Sequence, residues 1–141
     1  MVRDYLVCEA DFPSECVWID RSKEPIPAGN ELADALQAML CDRTSKMSEI
    51  WNHEAHGWSF NCEWNRVTIN VLVTQMDHWL IVFRIVSLLP WFLRSSRYYA
   101  ALRSVCEYID SSAGSDNRFR DLRWFTRLEF ESLAGPTKPM T

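Results

Sequence analysis

Three features of this 141-residue chain predict an α+β domain built on an antiparallel sheet. Three runs of alternating apolar and polar residues follow one another closely between about positions 57 and 87. Two other stretches carry apolar residues at helical spacing. The short links between the alternating runs leave no room for crossover helices, so consecutive strands must pair antiparallel.

The sheet comes first. In GWSFNCEW, Trp58, Phe60, Cys62 and Trp64 alternate with Ser59, Asn61 and Glu63. In RVTINVLVTQ, Val67, Ile69, Val71 and Val73 alternate with Arg66, Thr68, Asn70 and Thr74, Leu72 being the exception. In the third run Trp79, Ile81, Phe83 and Ile85 share one face. Leu80, Val82, Arg84 and Val86 share the other, also mostly apolar, as in a central strand covered at least partly on both sides. Turns around Asn65 and through Gln75, Met76 and Asp77 make a meander of strands at about 57–64, 66–75 and 78–87. The apolar stretch continues to Leu93, yet a membrane helix needs about 20 residues. Trp79 to Leu93 is shorter than that and carries Arg84, Ser87 and Pro90, so no membrane span is expected.

Two helices are predicted over the buried face. The first covers about 30–41, with Asn30 as N-cap, Leu32, Ala35, Leu36, Met39 and Leu40 on one stripe, and Glu31 and Asp34 in the first turn. The second covers about 96–112, with Tyr98, Leu102, Val105, Cys106 and Ile109 on its stripe and its end near Gly114. DYLVC and CVWID each read as a short strand, separated by the breaker-rich ADFPSE, and SKEPIPAG as a loop. RDLRWF reads as a last strand. Thr126 with Glu129 is a capping-box pair opening a short helix through Leu133. One domain over 1–134 and a flexible tail over 135–141 complete the expectation.

Charge is uneven. Met1 to Glu63 holds twelve acidic and five basic residues, a balance of −7. Trp64 to Thr141 holds seven acidic and ten basic, a balance of +3. The acidic half either presents a face to a basic partner or merely gathers solvated loops. If it is a face, Asp11, Glu15, Asp20 and Glu24 belong to it. Five cysteines without CxxC spacing fit a reducing cytoplasm, and MVRDYLVCEADF lacks the apolar core of a signal peptide.

Chemistry-bearing motifs are sparse. His53 and His56 in WNHEAHGW flank Glu54, but the zinc-protease pattern is HExxH and no third ligand has a telling spacing. Asp77 beside His78 sits at a hairpin tip, where turn chemistry accounts for it. RFRDLRWFTR interleaves arginines with aromatics as single-strand nucleic-acid binders do. The pI near 5.3 and the neighbouring Asp116, Asp121, Glu129 and Glu131 favour a strand whose arginines pair with carboxylates. No nucleic acid, metal or other cofactor is expected. LLPWFLRSS carries Leu88, Leu89, Trp91, Phe92 and Leu93 in a short linker. The commoner outcome for such a linker is to plug one end of the core. If any of it is exposed, Trp91 and Phe92 are the contact residues for a partner.

A small acidic domain with a Trp-rich meander and no catalytic set resembles the bacterial toxin-immunity proteins. The run YIDSSAGSDNRFRDLRWFTRLEFESL from Tyr108, about the last third of the chain, is similar to them in style, with an Ile-Asp helix end and an Arg-Trp element before a short acidic helix. The resemblance implies a non-catalytic protein that binds one toxin or effector and blocks it, and it assigns no individual residue. Type III secretion-like effector chaperones share the size and charge but usually open with a helix, where this chain opens with a strand-like DYLVC; they form homodimers, and a homodimer stays open here. The third reading, a small metal-dependent enzyme using the His53/His56 region, predicts bound zinc after purification.

Overall fold

A computed structural model describes residues 2–18, 26–53 and 56–133. Strand β1 (Tyr5–Ala10) is followed by helix α1 (Asn30–Leu40), then by β2 (Trp51–Asn52), β3 (Trp58–Trp64), β4 (Val67–Gln75) and β5 (Trp79–Ile85). Helix α2 (Ser96–Gly114), strand β6 (Phe119–Phe125) and the short helix α3 (Arg127–Leu133) close the chain. All strand pairs are antiparallel, and the spatial order is β2-β3-β4-β5-β1-β6. The expected meander is the centre of this sheet, and the α+β class holds.

Register explains the two faces. Phe60 opposes Val71, which opposes Phe83, and Cys62 opposes Ile69, which opposes Ile85. These residues point at α1 and α2, which bury Leu32, Leu36 and Leu40 from one and Leu102, Val105 and Ile109 from the other. Each fully buried aliphatic or aromatic side chain here contributes roughly 1.5–3 kcal/mol. The core indoles are tied down as well: Trp58 donates to the Pro27 carbonyl at 2.8 Å and Trp64 to Ser104 Oγ at 3.0 Å. On the opposite face Leu80 and Val82 are also buried, as a central strand requires. There α3 comes down beside Val7 and Leu80, with the Phe130 and Tyr5 rings 5.3 Å apart.

The Trp64–Val67 connection has two residues, Asn65 at φ 50° and Arg66 at φ 64°. Both lie in the left-handed region that a tight type I′ hairpin demands. The capping box forms in full: Glu129 N–H donates to Thr126 Oγ1 at 3.1 Å, and Thr126 N–H donates to Glu129 Oε1 at 2.8 Å.

Four expectations need correction. Asn30 lies inside α1 and the cap position falls on Gly29, at φ 121°, with no side-chain cap bond. A side chain there would crowd Val73 and Trp79 at 3.2 and 3.3 Å, so close packing against the sheet takes precedence over capping. CVWID makes only an isolated bridge, Val17 exchanging backbone hydrogen bonds with Ile26 at 2.9 and 2.8 Å; Ile19 and Asp20 lie outside the described residues. The edge strand β2 was not anticipated, because it pairs with β3 over only two residues and a one-residue shift separates it from the bridge that Met47 makes to the same strand: Met47 opposes Cys62 but Trp51 opposes Ser59. Lastly, Leu88–Leu93 does not plug the core, as described below. The expected tail over 135–141 lies outside the described residues.

Candidate partner-binding site

After Ile85 the chain leaves the sheet at Val86, whose N–H donates to the Thr68 carbonyl at 2.9 Å. Pro90 fixes an extended turn (φ −62°, ψ 155°), and Trp91–Leu93 form one 3₁₀ turn before α2 begins. The backbone here is fastened at several points. Leu89 N–H donates to Ser87 Oγ at 3.1 Å, Arg94 Nε donates to the Leu89 carbonyl at 3.1 Å, and the Tyr99 hydroxyl donates to the Trp91 carbonyl at 3.0 Å.

The side chains face the other way. Leu88 is fully exposed, Trp91 is 73% exposed and Phe92 66%, and Leu89 and Leu93 add to the same apolar surface. The plug expectation fails because the inner face is already filled by α1, α2 and the sheet, leaving no space for five more large side chains. The Trp91 and Phe92 rings meet edge to face at 5.8 Å and 87°. An apolar patch on a pinned backbone suffers little ordering cost when a partner covers it.

Beside this linker opens a cleft of about 750 Å³, walled by the start of β1, the end of β5, α2 and α3. Tyr5, Ile85 and Leu102 form apolar wall, and Arg84, Arg94 and Arg127 bring three guanidinium groups. Arg127 is engaged with Glu131 at 2.8 Å. Arg94 spends its Nε on Leu89, and the Arg84 side chain makes neither a hydrogen bond nor an ion pair among the described residues. Asp4 lies in the same cleft; burial pushes its carboxyl up to about 6, against the pull of Arg84 and Arg127.

Of the acidic candidates, Asp11 lies elsewhere. Asp11 follows the far end of β1 and pairs with Arg120 Nη1 at 2.8 Å, and Glu15 is exposed nearby in sequence. Asp20 and Glu24 lie outside the described residues. With Tyr5 in the cleft and Asp11 six residues further along an extended strand, about 20 Å separates the two regions. The structure therefore joins Trp91 with Phe92 but does not join either to Asp11.

The other motifs resolve locally. His53 and His56 close the β2–β3 hairpin through backbone bonds: His56 N–H donates to His53 and His53 N–H to Gly57, at 2.9 and 2.8 Å. Glu54 lies outside the described residues, and among the described residues no cluster of three His, Cys, Asp or Glu stands where it could hold a metal. His78 Nδ1 stands 3.9 Å from Glu9 at an exposed position. In RFRDLRWFTR every arginine meets a carboxylate: Arg118 pairs with Asp116, Arg120 with Asp11, Arg123 with Asp121 and Arg127 with Glu131. Phe119 is buried, and Trp124 Nε1 donates to Asp110 at 2.8 Å. All five cysteines are free, and burial pushes the Cys8 and Cys62 thiols up to about 12. Among the described residues no helix is long and apolar enough to cross a membrane.

Sequence reasoning missed the cleft, yet a signal for it was present. Between Asp77 and Glu107 there is no acidic residue, while Arg84, Arg94, Arg97 and Arg103 all fall in that span. Comparison with protein-family models, curated protein sequences and solved structures gives no match to the chain.

Proposed function

We propose that this is an immunity-type protein, non-catalytic and cytoplasmic, that binds a cognate bacterial toxin or effector and neutralises it. The reading is carried by one observation: Leu88, Trp91 and Phe92 stand exposed on a linker whose backbone is held by side-chain hydrogen bonds. Exposed aromatics on a rigid support are the kind of residue that dominates protein–protein contacts. Its free, unpaired cysteines suit a reducing compartment.

The test is a growth assay with the product of the adjacent reading frame, expressed alone and together with this protein. Toxicity that co-expression relieves, with a complex that co-purifies, is the expected result. Loss of that rescue in a Trp91→Ala, Phe92→Ala variant that still folds would assign the inhibitory contact. A neighbour that is harmless alone but bound and kept soluble would favour the effector-chaperone reading, for which the same apolar linker would serve. A neighbour that is toxic and neither bound nor neutralised would overturn the immunity role for that pair.

A further inference from the structure

We infer that the arginine-walled cleft beside Trp91 receives an acidic, apolar-bearing peptide segment of the protein partner. The inference rests on the binding role proposed above and names the chemistry of what is bound. Three observations converge. The cleft is concave, about 750 Å³, and roomy enough for a few side chains of an extended or turned segment. Its cationic groups outnumber its carboxylates, with Arg84, Arg94 and Arg127 against Asp4 and Glu131. Arg84 spends none of its donors on hydrogen bonds or ion pairs among the described residues, and Arg94 only its Nε. A guanidinium fork with free donors matches a carboxylate in plane and charge.

The apolar components set the rest of the ligand. Tyr5, Ile85 and Leu102 line the cleft, and Trp91 and the exposed Leu128 stand at it. A segment with Asp or Glu next to Phe, Trp or Leu would satisfy both parts at once. An anionic bilayer offers the same charge and apolar depth, but a flat surface cannot follow guanidinium groups into a recess. The concavity favours a chain segment.

The experiment is selection from a random dodecapeptide library displayed on phage, against the folded full-length protein. Enriched peptides should carry acidic residues adjacent to large apolar ones. Arg84→Glu with Arg94→Glu should weaken the best of them by about 10- to 100-fold. Arg84→Lys with Arg94→Lys, which keeps the charge but loses the planar fork, should weaken binding less than charge reversal does. Arg84 is exposed and Arg94 half-buried, and an unchanged melting temperature checks that the fold survives. Basic or neutral consensus peptides, binding that survives charge reversal, or no enrichment would each overturn the inference. So would protein that ignores the peptides but sediments with phosphatidylglycerol vesicles through the same arginines. The two proposals fail separately. Toxin rescue that persists after charge reversal removes the cleft alone, whereas peptide binding without any neutralised toxin removes the immunity role alone.

Discussion

Asp4 is the side chain whose surroundings suit it least. Its carboxyl is half-buried at the start of β1, and burial raises its pKa from 3.8 to about 6. Below pH ~4 the group is neutral in both the folded and unfolded chain, so the folded state suffers nothing from it. Between about 4 and 6 the unfolded chain releases its proton first. The stability present at low pH is therefore lost as pH rises through the folded value. Asp4→Asn should raise the melting temperature at pH 7.5 and leave it nearly unchanged at pH 4. Discounted for partial solvent access, the gain at pH 7.5 is about 1 kcal/mol, or a few degrees. A thermal melt at the two pH values checks it; equal effects at both would show that Asp4 ionises normally. Trp91 and Phe92 behave in the opposite way. Being exposed, they add little to folding, and Trp91→Ala with Phe92→Ala should shift unfolding free energy by no more than about 0.5 kcal/mol per site in urea titration.

At the scale of elements, the tight turn between β3 and β4 shows how local cost is tolerated. Arg66 occupies a left-handed conformation that glycine adopts freely, and the residue before it is already the preferred Asn. Arg66→Gly would create Asn-Gly and should stabilise the protein by roughly 0.5–1 kcal/mol, read as a higher urea midpoint with the slope unchanged. The meander, both long helices, β6 and α3 were legible because period-two and helical spacing, and the Thr126–Glu129 pair, are local signals. What was not legible depends on distant neighbours. Gly29 serves as the cap because Val73 and Trp79 approach it across the core. β2 exists because β3 offers a free edge, not because Trp51–Asn52 favours extension. Likewise Leu88–Leu93 looks like core in any window, and only the fullness of the inner face turns it outward.

Over the whole molecule, the charge asymmetry and the contact residues separate. Trp91 and Phe92 were identifiable from composition, whereas the cleft formed by four separate segments was not. Of the acidic candidates, Asp11 stands past the opposite end of β1, where it is already paired with Arg120. If that end also steers a basic toxin, Asp11→Lys with Glu15→Lys should slow association several-fold at low ionic strength and flatten its salt dependence. Stopped-flow mixing at 0.05 and 0.5 M salt checks this; an unchanged association rate would leave the acidic end without a part in binding.

The position of β1 between β5 and β6 has a consequence for synthesis. Strand β1 finds its first neighbour only after Val82 has been made, and its second only after Phe125. Until β5 follows, Leu6 and Cys8, which end in the core, travel on a nascent chain without the strand that pairs with them. A ribosome that stops before β6 would leave β1 as an open apolar edge, an invitation to chaperones and proteases. Premature termination ahead of Phe119 should therefore yield little surviving protein.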